Sequence, residues 1–283
     1  MRNIFLNRFY SVILVIFISF LCSSVAFFSG VATAATSMIQ QVQDHKKLVV
    51  GVALFEPWVM QDAKSQWHGY DIDVAVRLAE DLGVSVDFKL LPVDQLINGL
   101  EAKEFDIIIS GMTISTPRNL KINFTIPYSN SGIQLLANKK LSTGLTGVES
   151  LTGVESFNQT SVVLGTIRGS LAESVVNQLF PQAKKVLFNN EPEAVEAVKS
   201  GKVYGLLAAT PFPEYQMARF PDDFSMPLPR RLLRTSEAFG VRKQDPDSLN
   251  VLNNWILQKL EDGWLQDRHD YWFTSQQWRT RIQ

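Results

Sequence analysis

Between Tyr70 and Leu82 the apolar positions recur at helical spacing. Ile72, Ala75, Val76 and Ala79 stand at i, i+3, i+4 and i+7, and Gly83 ends the run. Val84–Leu90 (VSVDFKL) switches to a period of two, which predicts a strand. Asp94–Lys103 returns to helical spacing, with Leu96, Ile97 and Leu100 on one face and Asp94 as the expected cap. Lys47–Ala53 (KLVVGVA) and Phe105–Ser110 (FDIIIS) are short apolar runs, the pattern of strands buried on both faces. The alternation returns further along. Strands are expected over Ser161–Ile167, Val186–Phe188 and Gly205–Ala209, and helices over Ser170–Phe180 and Pro192–Lys199. Glu237–Lys243 opens a last segment with helices over Asp247–Glu261 and Trp264–Trp272. This rhythm predicts an α/β fold of βαβ units, and two sets of similar size predict two lobes.

The first residues follow a different pattern. Arg2 and Arg8 are the only charges before Asp44, and an almost unbroken apolar stretch from Tyr10 to Phe28 leads into Gly30-Val31-Ala32-Thr33-Ala34-Ala35. A basic start, an apolar segment and an Ala-x-Ala exit describe a secretory signal peptide, residues 1–34, cleaved after Ala34. Its removal takes Cys22, the single cysteine of the 283 residues, and moves the formal net charge from −1 to −3. The exported chain is therefore expected to work in the periplasm without any disulfide. A second local feature is a tandem repeat, LTGVES twice over Leu145–Ser156, read as a tolerated surface insertion.

Composition narrows the function classes. Hydrophobic residues at 46% and charged residues at 19% suit a chain with real cores. The near-neutral charge argues against nucleic-acid binding by phosphate neutralisation. A lone cysteine excludes a cysteine zinc site, and His45, His68 and His269 are not at ligand spacing, so neither metal nor cofactor is expected. Without a Gly-x-Ser-x-Gly motif a serine hydrolase is not indicated.

Several residues carry candidate binding chemistry. Ser110-Gly111-Met112-Thr113 follows a buried strand, at the carboxyl edge where open α/β sheets take ligands. There Gly111 lets backbone approach a ligand and Thr113 offers a hydroxyl. Arg118 supplies a planar fork suited to a carboxylate, though its residue type alone fits a surface ion pair equally well. Phe55 and Trp58 flank Pro57 after the first strand, as an aromatic wall or as core packing. Gly169, Ser170 and Leu171 open a helix whose free N–H groups suit a carboxylate, with Ser170 also readable as an ordinary cap. Asp71 and Asp73 sit in a first helical turn and read as structural.

Glu104–Arg118 (EFDIIISGMTISTPR), followed by Phe124, Pro127 and Tyr128, resembles the extracellular solute-binding proteins of polar amino-acid ABC importers, family 3. Their hallmark is a buried strand, Ser/Ala-Gly-x-Thr-x-Thr-x-x-Arg, then Phe-Ser-x-Pro-Tyr. Ser110, Gly111, Thr113, Ser115 and Arg118 stand at matching positions. Gly51–Trp58, Gly69–Asp73, Gly169-Ser170 and Gly263–Phe273 match further family segments in order, so the resemblance spans nearly the whole exported chain. It implies a type II periplasmic-binding-protein fold with two βαβ lobes joined by a two-crossing hinge, near Asn138–Lys140 and Arg234–Glu237. Lobe 1 is then expected over 38–137 plus 237–283 and lobe 2 over 138–236.

The resemblance also implies a function without chemistry. The expected protein is a periplasmic monomer that closes on a small carboxylate-bearing solute, an amino acid or derivative, and delivers it to an ABC permease in the inner membrane. It assigns Arg118 to the ligand carboxylate. One position departs from the pattern: family members carry an Asp for the ligand ammonium where this chain has Ala209, and Glu214 and Glu237 are the candidate replacements. The alternatives are a cyclohexadienyl-dehydratase-like enzyme on the same scaffold, or a ligand sensor for a membrane receptor.

Overall fold

The computed structural model describes residues 36–143, 153–228, 231–275 and 277–279. The expected signal peptide with its expected cleavage site and most of the LTGVES repeat lie outside them. Two large hydrogen-bonded sheets and a two-stranded one, Met60–Gln61 with Trp67–His68, lie within the unit Ser37–Gln283.

The first sheet runs Ser85–Leu90, Lys47–Val52, Ile107–Ile108, Gly240–Val241, Asn123–Phe124. Lys47–Val52 pairs in parallel with both its neighbours, as βαβ connections require, and Gly240–Val241 enters antiparallel. Helix Tyr70–Leu82 forms where the period predicts and ends on Gly83 in the left-handed region (φ 68). Its apolar face packs Val74, Ala75 and Leu78 against Val50, Val52 and Ile107 of the sheet. The C-terminal helix Pro246–Glu261 closes the same core with Leu252, Trp255 and Ile256. The opposite face is covered by Leu96, Leu100 and Phe105. Asp94 does not cap the helix there: a single 3₁₀ turn, Val93–Gln95, precedes Leu96–Glu101.

The second sheet runs Phe224–Ser225, Ser129–Asn138, Gly205–Ala209, Val163–Ile167, Lys184–Phe188, with Leu233–Glu237 also on Ser129–Asn138. Helices Leu171–Leu179 and Glu191–Lys199 cover its two faces, with Val175, Val176 and Leu164 in one core and Ala194, Val198 and Leu206 in the other. The chain passes between sheets at Tyr128–Ser129 and returns between Glu237 and Gly240. The first crossing thus comes ahead of the expected Asn138–Lys140. The ladder bonds of Ser129–Asn138 all lie within the second sheet, where it is an interior strand flanked on both sides.

Candidate functional site: a cleft between the sheets

The carboxyl ends of Lys47–Val52 and Ile107–Ile108 face those of Val163–Ile167 and Gly205–Ala209 across a cavity of about 420 Å³. Ala53, Leu54, Phe55 and Ser110–Thr113 line it from the first sheet, and Ile167, Ser170–Ala172, Leu207–Ala209 and Glu191 from the second. Sheet ends are where backbone groups leave the ladder, so the fold itself puts polar atoms here.

Arg118 is the cation of this wall. It sits in the short helix Thr116–Lys121, and its Nη1 donates to the Thr113 carbonyl at 2.9 Å. Nη2 donates to the Gly169 carbonyl of the other sheet, also at 2.9 Å. Burial pulls its pKa down from the usual guanidinium value, which marks a poorly hydrated cation. Two carbonyls fix the orientation of the fork without supplying a full negative charge.

The surrounding turns explain the residue types. Gly111 has φ 54, and its N–H donates to the Tyr128 hydroxyl at 3.3 Å, which in turn donates to Asp71 Oδ1 at 2.6 Å. Asp71 is fully buried beneath the cleft floor, and burial pushes its pKa up to about 8. Ser110 does not offer a free hydroxyl: it accepts from the Ala53 N–H at 2.9 Å and ties the end of the first strand. Thr113 bridges to Glu237, whose Oε1 accepts from Ser131 and Thr235 at 2.7 and 2.8 Å. Gly169 (φ 72) sits against Asp94 of the turn Val93–Gln95, where a β-carbon would come within 2.6 Å of the Asp94 Cβ. Ser170 stands before helix Leu171–Leu179 without a side-chain cap bond, and Ser170, Leu171 and Ala172 line the cleft.

Of the residues expected at the site, Phe55, Ser110, Gly111, Thr113, Arg118, Ser170, Leu171 and Ala209 line the cleft. Gly169 contributes its carbonyl to Arg118 rather than a surface to the cavity. Trp58 is not on the wall. At 1% exposure it backs Phe55, stacked at 6.1 Å, and packs edge-on to Tyr70. A tight turn, Phe55 N–H to Val59 O at 2.9 Å, sends one aromatic outward and the other into the core. Glu237 and Glu214, the expected stand-ins for an acid at 209, are not on the wall either. Glu237 lies under the floor, and Glu214 lines a separate cavity of about 80 Å³ with Tyr215 and Trp278.

Sequence reasoning missed Glu191. It opens helix Glu191–Lys199 behind an Asn190 cap, where an acid reads simply as a complement to the helix dipole. Its Oε2 accepts the Glu56 N–H at 2.9 Å, a second bond between the sheets. Among the described residues no group of three or more His, Cys, Asp or Glu is arranged to hold a metal.

The profile of the bacterial extracellular solute-binding proteins, family 3, matches residues 48–275. The L-cystine-binding protein TcyJ of Escherichia coli (strain K12) is 24% identical over 85% of this chain and 87% of its own length. Among solved structures, a binding component of an ABC transporter from Wolinella succinogenes, complexed with lysine, superposes with a TM-score of 0.76. It is 34% identical and covers 83% of this chain and 99% of that one. An ancestral amino-acid-binding protein described as a precursor of cyclohexadienyl dehydratase gives 0.74 at 29% identity, covering 84% and 99%.

Proposed function

Because this chain belongs to the bacterial extracellular solute-binding proteins of family 3, we propose that it captures a small carboxylate-bearing solute, an amino acid or derivative, for an ABC permease in the inner membrane. Arg118 carries the reading: a half-buried guanidinium on the cleft wall, oriented by carbonyls from both sides of the cleft, is a seat for a carboxylate. A carboxylate there pairs the charge that carbonyls only partly compensate. Phe55 and the aliphatic lining supply the surface for the rest of the solute. In this reading the chain is exported, residues 1–34 are removed after Ala34, and the periplasmic monomer closes by a hinge at the two sheet crossings, 128–129 and 237–240. The chain binds and hands over its solute without converting it.

Among the described residues no helix is long and apolar enough to cross a membrane. The enzyme alternative requires a proton donor in the cleft, and Glu191 is a carboxyl there. The same preparations are therefore assayed for loss of water from a cyclohexadienyl acid, and no turnover is expected.

The principal test is a thermal-shift screen of the standard L-amino acids, their deaminated acids and other small carboxylates. A hundredfold excess over the dissociation constant adds about 2.7 kcal/mol of stability. Arg118→Ala is expected to abolish the shift while melting normally in buffer, and Arg118→Lys to lose most of it because the fork is gone. Wild-type affinity in Arg118→Ala overturns the assignment.

A further inference from the structure

Two groups of opposite charge look into one cleft from opposite sheets. Arg118 is the basic group, and Glu191 is the acidic one. The Glu191 side chain is only 9% exposed. One carboxylate oxygen accepts the Glu56 amide N–H, while Oε1 is closed off from solvent and has no hydrogen-bond partner among the described residues. A carboxyl oxygen so placed is costly unless something arrives to meet it. Burial, and the Glu56 carboxyl nearby, push the Glu191 pKa well above the usual range, so an unpaired negative charge is disfavoured there. The remaining wall combines Leu54, Leu91, Val93 and Leu207 with uncharged polar residues such as Thr113, Asn189 and Asn190, and offers no competing charge.

We propose that Glu191 receives an ammonium group of the bound solute, so that the cleft selects a zwitterion with its carboxylate on Arg118 and its ammonium on Glu191. A cation offsets the desolvation that disfavours the Glu191 charge, and it supplies the donor that Oε1 lacks. A hydroxyl donor would satisfy the oxygen and leave the charge uncompensated. Ala209 lines the same cleft and has no polar side chain, which leaves this role to Glu191. The inference rests on the carboxylate reading of Arg118.

The test is calorimetry on the full chain with each standard L-amino acid beside its deaminated acid, for wild type, Glu191→Gln and Glu191→Asp. The glutamine variant still accepts the Glu56 N–H, so its melting temperature in buffer is expected to match wild type. At least one amino acid is expected to bind wild type about thirtyfold or more tighter than its deaminated acid. Glu191→Gln is expected to bring the pair within about threefold by weakening only the amino acid. Glu191→Asp, which keeps the charge, is expected to keep the preference. Equal binding of the deaminated acid to wild type overturns the inference and leaves the Arg118 reading standing. A preference that survives in Glu191→Gln also overturns it. If no compound of either set binds wild type, both readings fall.

Discussion

Gly169 and Gly83 share a left-handed backbone, φ 72 and φ 68, yet a side chain would meet quite different surroundings at the two. Around Gly83 there is nothing within 4 Å, whereas at Gly169 a β-carbon runs into Asp94 of the facing turn Val93–Gln95. Alanine at either position pays the backbone strain, about 1–3 kcal/mol. Only at 169 does it also wedge the seam. Gly169→Ala is therefore expected to weaken solute binding more than about tenfold, while Gly83→Ala loses stability and keeps affinity; calorimetry beside thermal melts separates the two. The sequence carried the wall's backbone features well, because Gly111 and Arg118 follow a buried strand at a fixed spacing. It could not tell Phe55 from Trp58, since the turn that points them apart is set by a hydrogen bond from residue 55 to 59. Nor could it place Glu191, whose local pattern is that of any acidic first turn.

Helix Tyr70–Leu82 and strand Ser85–Leu90 were legible from their periods, and Lys47–Val52 and Ile107–Ile108 from their unbroken apolar runs. Ser129–Asn138 was not. Its opening Ser-Asn-Ser-Gly reads as a loop, yet it is buried almost throughout, and Ser131 is satisfied by Glu237 and Thr235 rather than by water. Polar residues with dedicated partners can sit in a central strand, and a pattern of polarity alone misplaces them. The LTGVES repeat is an element of the opposite kind. Its second copy ends in the short helix Val154–Phe157, where Phe157 is fully buried in the second-sheet core. Deleting Leu151–Ser156 leaves the first copy to present the same Val-Glu-Ser ahead of Phe157. Halving the insert changes loop entropy by about 0.6 kcal/mol. Melting temperature and affinity are therefore expected to stay within about 2 °C and about twofold of the parent. A larger change would show that the two copies are not interchangeable.

Across the entire chain, stability should respond to pH through the carboxyls buried between the sheets. Burial pushes Asp71 up to about 8 and Glu237 up to about 7, so both bind a proton more tightly in the folded chain than in the unfolded one. Their contribution is complete below the unfolded values near 4 and is lost as pH rises through about 7 and 8. His269 works the other way, because burial lowers its pKa and its effect is confined to pH below about 6.5. Between pH 6.5 and 9 the melting temperature is accordingly expected to fall, by more than about 3 °C. Asp71→Asn, which can still accept from Tyr128, should flatten the upper part of that fall, and an unchanged slope would show that Asp71 does not titrate there. The seam closed by Arg118 on Gly169 and by Glu56 on Glu191 bears on time as well as on affinity. Opening of the cleft has to part both bonds, so the dwell time of a solute is expected to follow the strength of this seam, while the walls govern which solute is admitted. Choice and retention can then evolve at different residues.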